Sequence, residues 1–314
     1  MLRFASTRIL AAIPTLLIVA VAVFTLVRLI PGDPVSLMLG DLADDATRAQ
    51  LRERLGLDQP IYLQFVIWLS NLFRGDLGQS ITTGQPVLPL VLSRFFTSAQ
   101  MVLPAIVIAI IIAVPLGMIA AWRQNSKIDL FVVGLSTLLL SIPTFWLGLM
   151  LLLMFGMTLG WLPVLGYVSI ANRMVDGVIY LIMPVATLVL HEVGSLVRMA
   201  RASTLDVLRL DYITHARAKG LSEGEILIHH AARNAFGPTW TLVGLILGNL
   251  LGGVAVVETV FTIPGLGRLI VESIYGRDYA VVQGCLLFVA LTYVLVNLLV
   301  DLLYPIFDPR VTAE

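Results

Sequence analysis

Lysine occurs only at Lys127 and Lys219 in this chain of 314 residues, and cysteine only at Cys285. A phosphate-binding loop needs G-x-x-x-x-G-K-[ST], because its lysine must reach the phosphates. Neither lysine follows a glycine, so the chain holds no such loop. The lone cysteine excludes an intrachain disulfide. Charge is scarce as well: Asp, Glu, Lys and Arg make up 13% of the residues, about half the share of an average soluble domain. Basic and acidic side chains balance at 20 each, and no nucleic-acid partner is expected. What the sequence has in excess is apolar surface, with 58% hydrophobic residues and a mean hydropathy of +0.95. These values predict an all-α polytopic membrane protein.

Crossing the hydrocarbon core takes roughly 20 predominantly apolar residues. Six runs of about that length are present, which places transmembrane helices at about 9–29, 98–122, 130–155, 178–200, 238–258 and 279–303. Arg3 and Arg8 precede the first run, as in a secretory signal. That run is too long for a signal, however, and "LVRLIPGDP" offers no small-residue cleavage site, so it is read as a retained helix. In the third run Gly160, Pro163 and Gly166 mark the end.

Orientation follows from Lys and Arg in short loops. With the N-terminus inside, the cytoplasmic segments collect Arg3, Arg8, Arg123, Lys127, Arg198, Arg201, Arg209, Arg217, Lys219, Arg233 and Arg310, whereas the short outer loops hold Arg173, Arg268 and Arg277. Six spans then put both termini in the cytoplasm. The long segment 30–97 falls outside. Within it, Thr47 to Leu55 permits a helix and "GLDQP" breaks the chain, while Ile61, Phe65, Trp68, Leu69, Leu72 and Phe73 recur at helical spacing. They predict an amphipathic helix that rests on the membrane surface or on the bundle.

The most charged interruption is "DYITHARAKGLSEGEILIHHAARNAFGP", residues 211–238, in the cytoplasmic loop 201–237. Asp211 suits an N-cap, and Gly220 follows Arg217 and Lys219 as at a helix C-terminus, which predicts a two-turn helix. Ser222 and Glu225 form an S-x-x-E capping box, so a second helix should start at Glu223 and stop at Gly237 and Pro238. So short a helix is marginal alone. Tyr212, Ile213, Ala216 and Leu221 are its candidate exposed residues, for resting on the inner leaflet or for docking a soluble partner. His215, His229 and His230 lack a joining cysteine, and adjacent histidines diverge on a helix, so no metal site is expected.

"ARAKG" followed by "HAARNAFGP" resembles the cytoplasmic loop of the inner-membrane subunits of binding-protein-dependent ABC importers, in the dipeptide, oligopeptide and nickel permease family. The resemblance extends along the chain through "RLIPGDP", "LGLDQPIYLQF", "GDLGQSI", "VVETVFTIPGLGRLI", "RDYAVVQG" and "NLLVDLLYPIFDPR". In importers generally the loop reads Glu-Ala-Ala, three residues, Gly, nine residues, Ile-x-Leu-Pro. Here Thr214, His215 and Ala216 hold the Glu-Ala-Ala places, Gly220 the glycine, and His230 to Arg233 the last four. The peptide and nickel branch replaces the general pattern in this way, and Pro238 matches its later proline.

The resemblance implies a type I ABC importer permease subunit with six transmembrane helices in the bacterial inner membrane, moving peptides or a related small solute such as glutathione or nickel by alternating access. Residues Asp211, Tyr212, Ile213, His215, Ala216, Arg217, Lys219, Gly220 and Leu221 would form its coupling helix, seated on an ATPase. The implied partners are a second homologous permease subunit, two ABC ATPase subunits, a periplasmic or lipid-anchored substrate-binding protein and the lipid bilayer. This chain would hold no cofactor and catalyse no reaction; ATP and Mg would sit in the ATPase subunits. Glu258, Pro264, Gly265, Gly267 and Arg268 would form a turned element over the outer mouth of the path, where Glu258 ends the fifth span and Arg268 and Asp278 lie at the interface.

Two further residues are read from their positions alone. His191 and Glu192 fall inside the fourth run, where ionisable groups are costly and face the bundle interior or a wet cavity. They are candidates for the substrate path, against a purely structural pairing. Asp301, near the inner end of the last span, reads as a packing or interfacial residue. Ser195 lies four residues from His191, which raises an intramembrane serine hydrolase as a rival, although an oxyanion site and an orienting acid are missing from the pattern. A secondary transporter working without an ATPase is the other rival.

Overall fold

The computed structural model describes residues 2–29, 35, 44–54 and 58–307. The "PGDP" of 31–34, the "LGL" of 55–57 and "DPR" at 308–310 lie outside the described residues. Helices α1 (Leu2–Leu29), α2 (Asp45–Arg54) and α3 (Ile61–Phe73) come first. Then follow α4 (Val87–Trp122), α5 (Lys127–Ser141) and α6 (Thr144–Thr158), whose last two turns are π-helical. Helices α7 (Met174–Leu208) and α8 (Asp211–Ala218) lead to α9 (Glu223–Gly252), which carries a π-helical stretch at Ile226–Ala231. Three more close the chain: α10 (Ala255–Val260), α11 (Leu266–Tyr275) and α12 (Tyr279–Phe307). Among the described residues five helices are long and apolar enough to cross a membrane, and six spans result if α5 and α6 count as one.

That pair stands where a single span is expected at 130–155. Helices α5 and α6 meet at 97°, because Ile142 is extended before Pro143. A residue preceding proline is pushed out of the α region, and the "SIPT" signal ends α5 within the run. By contrast, Pro104, Pro115, Pro184 and Pro238 sit inside α4, α7 and α9. A membrane helix tolerates them when its neighbours re-satisfy the freed carbonyls.

Other boundaries also differ from expectation. Helix α4 starts at Val87 rather than near Ser98, and at 1.5 Å per residue its length of about 54 Å exceeds a hydrocarbon core of about 30 Å. Helix α7 spans Met174 to Leu208 and so carries Arg198 and Arg201. The chain does not stop at Gly237 and Pro238, since α9 passes through both and ends at Gly252. Glu258 therefore belongs to a separate short helix and does not end the fifth span.

The core forms where α4 runs along α7. Met101, Val102, Ala105, Ala109 and Ala113 of α4 are buried with Leu188, Leu196 and Val197 of α7 and Val243 and Ile246 of α9. Small residues let the helices approach closely, as expected where packing rather than water drives association. At Gly117, any Cβ would lie 2.7 Å from the carbonyl oxygen of Val197. Helix α12 packs on α9 and α1, where Arg8 pairs with Asp301 at 3.0 Å. Helix α3 lies on α1: Phe65 and Trp68 meet Phe24 at ring separations of 5.1 and 5.4 Å, and Arg28 donates to Gln64 Oε1 at 2.8 Å. The apolar stripe of α3 is thus packed on the bundle, while Ile61 and Phe73 stay exposed.

Candidate functional site

Helices α8 and α9 form a tight hairpin at one end of the bundle. Leu210, not Asp211, is the N-cap of α8, and it offers no side-chain cap. At the turn Gly220 takes φ +84°, a left-handed conformation that is free only to glycine. Ser222 and Glu225 make both bonds of the capping box that opens α9. Arg217 donates to both carboxylate oxygens of Glu223, at 2.7 and 3.2 Å, and closes the turn from the other side.

The faces of α8 correct the expectation that Ile213 and Ala216 are exposed. Both are buried in a small core with Val207, Ile226, Leu227, Ala231 and Ala235. Burying the Ile213 side chain contributes about 2 kcal/mol, which supplies the anchorage that eight residues of isolated helix lack. Tyr212 is tied down as well, because its hydroxyl accepts from Asn234 Nδ2 at 2.8 Å. Asp211, Tyr212, Thr214, His215, Arg217, Lys219, Gly220 and Leu221 are exposed. The free surface is therefore a basic rim with two apolar tips, on a base rigidly fixed to α7 and α9.

A second cluster gathers around Glu258, which is fully buried. Its Oε1 accepts from the Ser98 hydroxyl at 2.6 Å and its Oε2 from the Arg268 amide at 2.7 Å. The Leu266 amide donates to Ser98 Oγ at 2.8 Å. The carboxylate thus sits against the first turn of α11, where unpaired amides and the helix dipole favour an anion. Gly265 leaves room for it, since a Cβ there would collide with that carboxylate. At Gly267 a Cβ would lie 2.6 Å from the Ala255 amide nitrogen. Arg94 donates to the Pro264 carbonyl at 3.2 Å, and the Arg268 side chain turns away to Glu272 at 2.6 Å. Glu258, Pro264, Gly265, Gly267 and Arg268 are therefore brought together, on a scaffold that includes Ser98 and Arg94. Sequence reading misses those two, because a serine and an arginine in α4 carry no local mark of a partner some 160 positions away. Asp278, expected at an interface, is buried and accepts from Ser80 Oγ at 2.5 Å.

His191 and Glu192 lie at the middle of α7, both half-buried. Among the described residues no group pairs with His191 Nδ1, which is buried. The Ser195 hydroxyl donates to the Glu192 carbonyl at 2.9 Å rather than to His191, so no nucleophile–base pair forms. Next to them a cleft of about 480 Å³ opens between α5, α7 and α9, lined by Val133, Leu140, Ser195, Arg198, Met199, Arg201, Ala202 and Leu242. Arg201 grips both oxygens of buried Asp129, at 2.6 and 2.8 Å, and joins α7 to α5. A separate groove of about 460 Å³ toward the start of α7 is almost wholly apolar, with Gln100, Pro104, Ile170, Leu181 and Val185 in its wall.

A helical bundle with five helices, or six counting α5 and α6 as one, long and apolar enough to cross a membrane, an anchored two-helix hairpin at one end and a carboxylate-centred turn define a polytopic membrane protein. The chain belongs to the family described as binding-protein-dependent transport system inner membrane component, whose model matches residues 113–313; the model for the N-terminal part of such components matches residues 1–117. A protein of Brucella suis biovar 1 named for peptide transport as a permease is 43% identical over 97% of both chains. The oligopeptide transport system permease protein AppB of Bacillus subtilis is 39% identical, again over 97% of both. One chain of the inward-facing MetNI methionine ABC transporter matches with a TM-score of 0.57 at 17% identity, covering 70% of this chain and 96% of that one, a likeness of fold.

Proposed function

We propose that this chain is the peptide-conducting permease subunit of an ATP-driven importer, working by alternating access beside a second, homologous permease. Two ATPase subunits that bind ATP and Mg drive it, and a periplasmic or lipid-anchored binding protein delivers the peptide. Both termini and the α8–α9 hairpin face the cytoplasm, in keeping with the excess of Arg and Lys on that side. The observation that carries this reading is the hairpin itself. Ile213 and Ala216 lock α8 into the bundle while its basic rim stays free, so a push on α8 passes directly into α7 and α9. Asp211, Tyr212, His215, Arg217, Lys219 and Leu221 meet the ATPase, and Gly220 sets the turn. Glu258, Pro264, Gly265, Gly267 and Arg268 shape the outer gate. His191 and Glu192 line the path.

The peptide reading rests on the likeness to relatives named for peptide and oligopeptide transport. The test is reconstitution with the partner subunits and the binding protein: ATP-dependent peptide accumulation that disappears on replacing Arg217 and Lys219 by Glu supports it. Accumulation without any ATPase chain would favour a secondary transporter instead.

A further inference from the structure

Asn249 lies on α9, and among the described residues no protein group pairs with its exposed carboxamide. Its depth follows from its neighbours. A Cβ at Gly248 would touch Tyr293, and one at Gly244 would touch Val300. Tyr293 is the middle residue of α12, so Asn249 stands at the middle of the bundle. His191 is likewise the middle residue of α7.

Each lies on a helix face that lines the cleft elsewhere along its length. Leu242 lines the space beside Ser195 and Arg198, and Asn249 is seven residues further along α9, which brings it back to the same face about two turns on. On α7, His191 precedes Ser195 by four residues and Arg198 by seven, and again shares their face. The helices are consecutive spans joined by the α8 hairpin and run in opposite directions, so two turns along each from the cleft lead away from the hairpin in the same sense. Among the described residues neither the buried His191 Nδ1 nor the exposed Asn249 carboxamide has a hydrogen-bond partner. Polar groups at membrane depth require a wet cavity or a polar partner.

We propose that Asn249 is a cargo-contacting residue, whose carboxamide hydrogen-bonds the main chain of a passing peptide at mid-membrane. The inference rests on the peptide-importer reading above. An asparagine side chain carries an N–H donor pair and a carbonyl acceptor, the complement of a peptide bond's own carbonyl and amide. Such a contact reads the backbone and ignores the side chains, which suits a path for varied sequences. Leu242 and Met199, in the cleft about two turns away, are apolar and offer no hydrogen bond to hold the cargo back.

The experiment uses the whole complex in proteoliposomes, with a defined library of tri- to hexapeptides read by mass spectrometry. Asn249→Leu is expected to assemble and hydrolyse ATP at the basal rate, with KM for uptake raised about tenfold, the effect of one lost hydrogen bond to a buried partner. Asn249→Gln should restore part of it. Trialanine with N-methylated amides should be a poorer cargo than trialanine for the wild type, and no poorer than trialanine for Asn249→Leu. Wild-type uptake retained unchanged in Asn249→Leu overturns the proposal and leaves the importer reading intact. Failure of Asn249→Leu to assemble, with Asn249→Gln assembling normally, also overturns it and assigns the residue to the partner permease. Absence of uptake of any library peptide by the wild type removes the peptide reading and this proposal with it.

Discussion

The hydroxyl of Ser98 in α4 and the carboxylate of Glu258 in α10 hold each other at 2.6 Å across 160 positions of sequence. The same hydroxyl receives the Leu266 amide, so one serine satisfies two buried groups. Ser98→Ala is expected to leave both without that partner and to cost about 2 kcal/mol. A lowered thermal midpoint of the detergent-solubilised protein checks this, and Ser98→Thr, which keeps the hydroxyl, should stay closer to the wild type.

Gly265 and Gly224 should respond in opposite directions to the same change. A Cβ at Gly265 runs into the Glu258 carboxylate, so Gly265→Ala must displace the buried anion from the first turn of α11. Gly224 lies in the first turn of α9 with open space around it, and there alanine should stabilise by about 0.5–1 kcal/mol through the unfolded chain. Thermal unfolding of the two variants side by side measures both signs. A stabilised Gly265→Ala would remove the claim that this glycine exists to admit the carboxylate.

How much of this was legible in the sequence depends on the range of the interaction. The capping box at Ser222 and Glu225 and the left-handed turn at Gly220 are written in four or five consecutive residues, and both stand where the sequence places them. The apolar runs give the spans because hydropathy is a sum over neighbours. Helix ends are harder to read: Pro143 follows the end of α5 whereas α9 runs through Pro238, although a proline removes the same amide in both. The face of α8 is not legible locally, because Ile213 is buried against residues of α7 and α9, a tertiary fact with no local trace. Ser98, Asp129 and Arg201 were missed for the same reason.

Asp129 and Arg201 illustrate a buried pair whose removal is asymmetric. Asp129 is almost wholly buried and Arg201 about three-quarters so. Asp129→Ala strands the guanidinium against apolar surface and should cost about 3 kcal/mol, whereas Asp129→Leu with Arg201→Met should recover most of that loss. A double-mutant cycle of thermal midpoints reads the difference. Additive losses would show that the two side chains act independently.

At the hairpin, Gly220→Val should uncouple ATP hydrolysis from uptake. Open space surrounds Gly220, so the whole penalty comes from forcing a β-branched residue to φ +84°, about 1–2 kcal/mol. Asparagine visits that conformation more readily, and Gly220→Asn should retain most activity. Wild-type uptake and wild-type substrate-stimulated ATP hydrolysis in the valine variant would count against a rigid α8–α9 turn.

His191 and Glu192 offer the hardest test, because a packing role and a path role predict different losses. Among the described residues His191 Nδ1 has no partner, and Glu192 meets Ser195 Oγ at a distant 3.5 Å, so neither belongs to a satisfied network whose loss would collapse the fold. If the two groups face a wet path, a cation or an amino terminus passes beside the carboxylate with part of its charge offset. Replacing them by Ala and Gln then leaves an assembled, ATP-hydrolysing complex whose uptake falls selectively for positively charged peptides. If they pack instead, the cost falls on folding and assembly, and charged and neutral cargo suffer alike. Uptake of a lysine-containing and an alanine-only tripeptide by the same preparation separates the two, and equal losses with poor assembly would make both residues structural.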